Sequence, residues 1–222
     1  MDGTLVDTEP DWIACERALV ASFGGTWTDA DSLSLVGGDL LTAGAYIRDR
    51  GNVPLTPEEI VDAMLDDMVR RVRHAVPWQS GARELLADLR AAGVPCALVT
   101  MSYRRLVDAV LAGLPARTFD AVVTGDEVVN GKPHPEPYLT AAELLGVDPT
   151  DCVVIEDSST GAAAAVAAGC RVLAVPHVVG IEPSLDVTVL PTLSGLRAVD
   201  LTAAVHTSRQ LLPNRDVPMT SG

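Results

Sequence analysis

From Ser80 onward, short apolar runs alternate with longer segments whose residue pattern is helical. The apolar runs are four to six residues long and lie at Val94–Val99, Phe119–Val123, Cys152–Ile155, Arg171–Val175 and Val187–Leu190. Aromatic residues make up only 4% of the chain, against 48% for all apolar residues, so the core must be aliphatic. This alternation predicts right-handed βαβ units and a doubly wound α/β fold with a parallel sheet.

The first third of the chain has a different pattern. Helical segments follow one another there, separated by Gly-Gly pairs and by proline, at residues 8–23, 28–35, 39–50 and 54–75. No stretch in this region has the pattern of a strand. We therefore expect residues 8–78 to form an all-helical domain that is inserted into an α/β core made of residues 1–7 and 79–222. The expected hinges are near Thr8 and Pro77–Trp78.

The charge of the chain limits the partners that it can bind. The sequence contains 30 Asp and Glu residues against 16 Lys and Arg, which gives a formal net charge of −14. Such a surface repels nucleic acids and anionic membranes, so an anionic substrate would need a local positive site. No apolar run reaches the ~20 residues of a membrane-spanning helix, and the acidic first residues differ from a signal peptide. We expect a cytoplasmic protein with reduced cysteines, either monomeric or weakly dimeric.

Polar side chains follow the ends of several predicted strands. They occur in four short segments, Asp2–Thr4, Thr100–Ser102, Gly131–Pro133 and Glu156–Ser158. Taken alone, each segment is explained more simply as a turn, a helix cap or a solvated loop. In a doubly wound sheet, however, the carboxyl ends of the strands meet in one crevice, where ligands bind. Carboxylates, hydroxyls and an ammonium in that crevice favour Mg²⁺ and a phosphoryl group.

The order of these segments resembles that of the haloacid dehalogenase superfamily, in its phosphatase and phosphomutase branch. Residues 1–8, with the sequence MDGTLVDT, are similar to the first motif of that family, D-x-D-G-T. Thr100, Lys132 and the pair Glu156–Asp157 are similar to its second, third and fourth motifs. The resemblance extends over roughly residues 1–195, and the helical segment at 8–78 resembles the family's cap domain. It implies a Rossmann-like core with a helical cap.

The resemblance implies catalytic and substrate-binding roles for the matching residues. Asp2 is the expected general acid and base, which protonates the leaving oxygen and later activates water. Thr100 is expected to hold the transferring phosphoryl group, and Met101 and Ser102 to complete its binding loop. Lys132 is expected to neutralise the charge of the nucleophile and of that group.

The resemblance also implies a Mg²⁺ cofactor. Its expected ligands are the backbone carbonyl of Asp2 and the carboxylate of Asp157, with Glu156 acting through water. The implied substrate is a small phosphorylated metabolite, such as a sugar phosphate or phosphoglycolate.

The nucleophile of the family is the first aspartate of D-x-D, two positions before the residue that matches Asp2. Met1 occupies the intervening position, so we expect the native chain to begin upstream, with a first core strand that ends in this aspartate. The leading function is then a phosphatase that works through an aspartyl-phosphate intermediate. Two alternatives remain open: a phosphomutase with the same core and intermediate, or a non-catalytic binder of a phosphorylated ligand if Met1 is the native start.

Other residues near the expected site have simpler interpretations. Gly37–Asp39 resembles the substrate-facing loop of the family's cap. Arg48 and the pair Arg104–Arg105 could contact an anion, but a surface position is the simpler interpretation for Arg48 and for at least one arginine of the pair. Trp12 and Trp27 are expected to pack the helices of the insertion.

Overall fold

A computed structural model describes residues 1–178 and 180–201 of the chain. Residues 8–78, which we call the helical insertion, contain helices at the positions that the sequence predicts. These are α1 (Glu9–Ser22), α2 (Asp29–Leu33), α3 (Leu40–Gly51) and α4 (Pro57–His74). The segments that connect them contain no strand.

The longest helix of the insertion is α4, and both α1 and α3 pack against it. Its first turn is a capping box, in which the Thr56 hydroxyl accepts from the Glu59 N–H (3.3 Å) and the Glu59 carboxylate accepts from the Thr56 N–H (2.8 Å). One face of α4 buries seven apolar side chains: Ile60, Val61, Met64, Leu65, Met68, Val69 and Val72. Among the described residues, no helix combines the length and apolar character needed to cross a bilayer.

The rest of the chain alternates between helices and strands. Within the described residues these are α5 (Ala82–Ala91), β1 (Ala97–Val99), α6 (Arg104–Leu111), β2 (Ala121–Val123), α7 (Glu136–Leu145), β3 (Val153–Glu156), α8 (Ser159–Ala167), β4 (Arg171–Ala174) and β5 (Thr188–Val189). β1 pairs with β2, β3 with β4 and β4 with β5, in each case parallel. The predicted parallel α/β fold is therefore confirmed. The part of the predicted core beyond residue 201 lies outside the described residues.

The strands form two separate sheets, one of β1–β2 and one of β3–β4–β5. Residues of both β1 and β3 line a largely apolar cavity of about 380 Å³, which we call the inter-sheet cavity. Its other walls include Leu85 and Leu89 of α5 and Ala141 of α7. Met1 also lines this cavity, and only 8% of its surface is exposed. Because β1 and β3 belong to different sheets, the parallel sheet is discontinuous between them.

β1 begins three residues later than the apolar run at Val94–Val99 suggests. The N–H of Val94 donates to Leu89 O (3.0 Å) at the end of α5, and Pro95 has no N–H to donate. The N–H of Cys96 donates to the carboxylate of Asp120 (3.0 Å) rather than to a strand. The N–H groups of Val94 and Cys96 therefore donate outside the strand ladder.

The chain passes between the core and the helical insertion at two adjacent points, which we call the crossings. Val6 forms an antiparallel bridge with Trp78, and the N–H of Asp7 donates to the carbonyl of Pro77 (2.7 Å). The expected hinges near Thr8 and Pro77–Trp78 lie beside each other at these crossings. The division into a core and an inserted domain stays a prediction.

Candidate active site

The side chains that the sequence predicts for the site line one pocket, which encloses about 100 Å³. The core contributes Asp2, Thr100, Met101, Ser102, Lys132, Glu156 and Asp157 to its wall. β1 ends just before Thr100 and β3 ends at Glu156, so the pocket lies at the carboxyl ends of these strands. The positions agree with the expected convergence, while the catalytic and metal-binding roles stay predictions.

Asp2 is held by hydrogen bonds from three directions. Its Oδ1 accepts from the hydroxyl of Thr8 (2.5 Å) and from the indole Nε1–H of Trp12 (3.2 Å). Its Oδ2 accepts from the hydroxyl of Ser102 (2.6 Å). The carboxylate is therefore fixed in orientation by one core residue and two residues at the start of the helical insertion.

Thr8 and Trp12 were not predicted to contact the site. Trp12 is buried among the apolar residues, as expected for a packing residue, but its polar edge contacts Asp2. Thr8 is fully buried and does not cap α1 with its side chain, because its hydroxyl bonds to Asp2. The two residues are one helical turn apart and so face the same side of α1. The spacing of Thr8 and Trp12, so soon after Asp2 in the chain, is the sequence signal that could have revealed these contacts.

Lys132, the only lysine of the sequence, makes a buried ion pair with Glu156. Its Nζ lies 2.6 Å from Glu156 Oε1 and 3.2 Å from the carbonyl oxygen of Val99. Both side chains of the pair are 7% exposed. The hydroxyl of Tyr138 donates to the same Oε1, and the ammonium lies 4.8 Å from the centre of the Tyr138 ring. Lys132 is thus positioned from α7, β1 and β3 together.

Glu156 is ionised in this arrangement. Burial alone would raise its pKa, but the charge of Lys132 and the hydrogen bonds from Lys132 and Tyr138 favour the charged form, and its pKa lies below the ordinary value. Because Lys132 and Tyr138 both bond to Oε1, the carboxylate is directed at protein groups. This geometry is compatible with the expectation that Glu156 acts on a metal through water.

Asp157 lies against the turn that follows Asp2. Its Oδ1 accepts from the hydroxyl of Thr4 (2.7 Å). Burial raises the pKa of Asp157, and the negative charge of Glu156 raises it further. Gly3, with φ of +72°, leaves room for the carboxylate, because a Cβ there would lie 2.0 Å from Asp157 Oδ2. The Asp157 carboxylate can therefore pack against this turn only because residue 3 has no side chain.

We predict that Gly3→Ala destabilises the fold by more than Gly93→Ala. Both glycines have positive φ, +72° and +69°, but a Cβ at Gly93 meets nothing within 4 Å. The control therefore costs the left-handed backbone strain alone, about 1–2 kcal/mol, and Gly3→Ala adds the clash with Asp157. Urea denaturation of both variants measures the difference. Equal losses of unfolding free energy would contradict the close packing of Asp157 on this turn.

The loop after β1 is packed against the loop that carries Lys132. The hydroxyl of Thr100 accepts from the N–H of Ser102 (3.1 Å), and both residues are buried. The sulfur of Met101 accepts from the N–H of Lys132 (3.4 Å). A Cβ on Gly131 would lie 2.5 Å from the methyl group of Met101. Met101 therefore positions the Lys132 loop, in addition to lining the pocket.

The donor chemistry of the pocket suits the Mg²⁺ that the resemblance implies. The carboxylates of Asp2 and Asp157 both line it, and the backbone carbonyl of Asp2 accepts no hydrogen bond from a described residue. These are hard oxygen donors, and burial among like charges is what a divalent cation relieves. No group of three His, Cys, Asp or Glu side chains in the described part of the chain could hold a metal. Water and substrate oxygens would complete the coordination of Mg²⁺.

The helical insertion forms the opposite wall of the pocket. Its contribution includes Glu9, Trp12 and Glu16 of α1 and the loop residues Gly37 and Gly38. A Cβ on Gly37 would lie 3.3 Å from the Cβ of Ser158, so this loop approaches the core closely. The resemblance of Gly37–Asp39 to a substrate-facing loop agrees with this position.

The arginines considered as anion ligands lie outside the pocket. Each has an acidic partner: Arg48 pairs with Asp49, Arg104 with Glu127, and Arg105 with Asp66. The simpler interpretation, a surface ion pair, fits all three.

Comparison with known proteins shows that this chain has related sequences. The family model described as "Haloacid dehalogenase-like hydrolase" matches residues 1–175. Hexitol phosphatase B of Escherichia coli is 33% identical over 180 residues, which cover 79% of this chain and 81% of that protein. Fructose-1-phosphate phosphatase YqaB of Escherichia coli is 34% identical over 179 residues, which cover 76% of this chain and 89% of that protein.

A solved structure has the same fold. The crystal structure of CbbY from Rhodobacter sphaeroides in complex with phosphate superposes with a TM-score of 0.80 at 26% identity. The match covers 91% of this chain and 96% of that protein. The arrangement of parallel strands and helices described above is therefore that of a known fold.

Proposed function

The chain belongs to the haloacid dehalogenase-like hydrolases, and from this premise we propose that it is a Mg²⁺-dependent phosphatase. Its proposed substrate is a small phosphorylated metabolite of the sugar phosphate type. Two relatives that are 33% and 34% identical are phosphatases of hexitol phosphates and fructose 1-phosphate by name, which supports this class.

One observation carries the proposal. Asp2, Thr100, Lys132 and Asp157 line one small pocket, although Asp2 and Asp157 are 155 positions apart in the sequence. Together they supply a fixed carboxylate, a hydroxyl, an ammonium and a second carboxylate. Phosphoryl transfer requires a proton donor for the leaving oxygen, positive charge around the phosphoryl group and oxygen ligands for Mg²⁺. The pocket offers each of these.

The proposed reaction has two steps. In the first, an aspartate carboxylate attacks phosphorus, the bond from phosphorus to the ester oxygen breaks, and Asp2 gives that oxygen a proton. In the second, Asp2 takes a proton from a water molecule, which displaces the aspartate and releases inorganic phosphate. Lys132 and Thr100 hold the phosphoryl oxygens throughout, and Mg²⁺, when bound, offsets the negative charge on them.

We propose that the nucleophile belongs to a segment that precedes Met1. Met1 lines both the pocket and the inter-sheet cavity. A residue that precedes Met1 would therefore lie close to both. Residues of both β1 and β3 line that cavity, and an added strand there could pair with both. An apolar strand through the cavity would end beside Asp2 and Lys132, where an attacking carboxylate is needed.

We also propose that the helical insertion acts as a cap. It contributes one wall of the pocket, and two of its residues, Thr8 and Trp12, bond directly to Asp2. Movement about the paired crossings at Val6 and Trp78 would admit substrate, and closure would exclude water from the site.

The test is phosphate release from a panel of phosphorylated metabolites, with Mg²⁺ and with EDTA. The protein is prepared both from Met1 and with the in-frame residues that precede Met1. We expect the extended protein to release phosphate only with Mg²⁺. Conversion of a phosphosugar into an isomeric ester without phosphate release would indicate a phosphomutase instead. Binding without either reaction in the extended protein would contradict the proposed phosphatase.

A further inference from the structure

The wall of the pocket that faces the leaving group differs in charge from the wall that the core forms. Among the described residues that line the pocket, Lys132 is the only Lys or Arg side chain, and it belongs to the core wall. The wall formed by the helical insertion carries Glu9 and Glu16 and no basic side chain. A substrate held at its phosphate by the core would therefore place the rest of its structure against carboxyl groups.

Glu16 is fixed within this wall. It is 5% exposed, and its Oε2 accepts from the hydroxyl of Ser32 (2.5 Å) and from the indole Nε1–H of Trp27 (3.0 Å). Burial raises its pKa. Its other oxygen, Oε1, has no hydrogen-bond partner among the described residues. One carboxyl oxygen is thus anchored, while the other is free to accept a hydrogen bond from a ligand.

Glu9 is the second carboxyl group of this wall, and it begins α1. It lies two helical turns before Glu16, so both side chains are on the same face of the helix. No described residue donates a hydrogen bond to its carboxyl group. Burial, followed by the charges of Asp2 and Asp157, raises the pKa of Glu9 to about 8. In either protonation state Glu9 offers oxygen atoms that hydroxyl groups can bond to, and no positive charge.

We propose that Glu9 and Glu16 select a substrate whose leaving group is an uncharged polyhydroxy alcohol and exclude leaving groups that carry a carboxylate or a second phosphate. This inference rests on the proposed phosphatase function and narrows its substrate class. An uncharged polyol can satisfy the free carboxyl oxygens with its hydroxyl groups. An anionic leaving group would meet like charge at any of these carboxyl groups that is ionised, and it brings fewer hydroxyl donors to the free carboxyl oxygens.

The wild-type protein is therefore expected to discriminate strongly between two probes. A hexitol phosphate carries an uncharged polyol, and 2-phosphoglycolate carries a carboxylate. We expect kcat/KM for the hexitol phosphate to exceed that for phosphoglycolate by about 100-fold or more, because an unpaired polar site rejects the poorer ligand by such factors. The dissociation constants of the two probes, measured by calorimetry, are expected to differ in the same direction and do not depend on turnover.

The variant Glu9→Lys tests the role of the charge. It is expected to shift the ratio of the two kcat/KM values, and of the two dissociation constants, by at least about 10-fold toward phosphoglycolate. Glu143→Lys is the control, because it replaces the same residue type by lysine at an exposed position of α7 outside the pocket. Circular dichroism checks that both variants are folded. Glu9→Gln, which keeps an acceptor oxygen, is expected to retain the preference for the polyol in part.

Two results would overturn the inference. One is comparable binding and hydrolysis of both probes by the wild-type protein. The other is an equal ratio in Glu9→Lys and Glu143→Lys. If neither probe is hydrolysed by the extended protein but the hexitol phosphate still binds more tightly, the phosphatase proposal fails while the selectivity inference stands.

Discussion

Replacement of Lys132 by alanine is expected to lower the free energy of unfolding by about 3–5 kcal/mol, because it leaves the carboxylate of Glu156 buried without its counter-charge. Glu156 is 5% exposed as a residue, and Tyr138 alone cannot replace the ammonium. The loss should be visible in urea denaturation whether or not the protein is active. The stability effect is therefore separate from any catalytic role of Lys132.

Two further variants test whether the loss of stability comes from the buried ion pair. Arg70→Ala removes an ion pair with Asp67 in which the arginine side chain is 69% exposed, and we expect a loss of about 1 kcal/mol or less. The double variant Lys132→Ala/Glu156→Gln removes both buried charges and should recover much of the stability. If Lys132→Ala costs no more than Arg70→Ala, the buried ion pair does not stabilise the fold as described.

Replacement of Asp2 by asparagine is expected to lower phosphate release by the extended protein about 10²–10⁴-fold, the range typical of a lost general acid and base. Asparagine has nearly the same shape and can still accept hydrogen bonds from Thr8 and Trp12, so the pocket should be preserved. It cannot give a proton to the leaving oxygen or take one from water. The kcat for a hexitol phosphate measures the loss.

The matched control is Asp49→Asn, which changes an exposed aspartate of α3 that pairs with Arg48 outside the pocket. It should leave kcat unchanged, and thermal denaturation should show similar stability for both variants. Undiminished turnover in Asp2→Asn would show that another residue moves the proton.

The convergence of Asp2, Thr100, Lys132 and Asp157 could be predicted from the sequence because each follows an apolar run or a turn that ends at the same edge of a parallel sheet. The alternation of strands and helices identifies that edge of the sheet, and no knowledge of side-chain contacts is needed. The helices could be located for a similar reason, since glycine and proline separate them in the chain.

The contacts that orient these groups could not be predicted in the same way. Trp12 reaches Asp2 only because α1 begins directly at the crossing into the insertion, and this direction depends on the bridge between Val6 and Trp78. Tyr138 reads in sequence as an ordinary buried residue of α7, yet its hydroxyl bonds to Glu156. Such pairings depend on how whole elements pack, which local patterns do not specify.

The two separate sheets were also not evident from the apolar runs. The runs at β1 and β3 are both suited to pairing on two sides, but a pattern does not say which strand lies between them. In the structure, β1 and β3 belong to different sheets, and both line the inter-sheet cavity together with Met1. This cavity is the feature that most supports a strand before Met1.

The central claim is that phosphoryl transfer takes place in this pocket through an aspartate that precedes Met1. The most direct measurement is mass spectrometry of the extended Asp2→Asn protein, acid-quenched after mixing with p-nitrophenyl phosphate and Mg²⁺, because a nitrophenolate leaves without a proton from Asp2. We predict a phosphoryl group on the aspartate immediately before Met1, because without the carboxylate of Asp2 the intermediate should be hydrolysed slowly. Phosphate release by the extended wild-type protein with no phosphoryl group on that residue in either protein, or an upstream sequence without an aspartate there, would contradict the account.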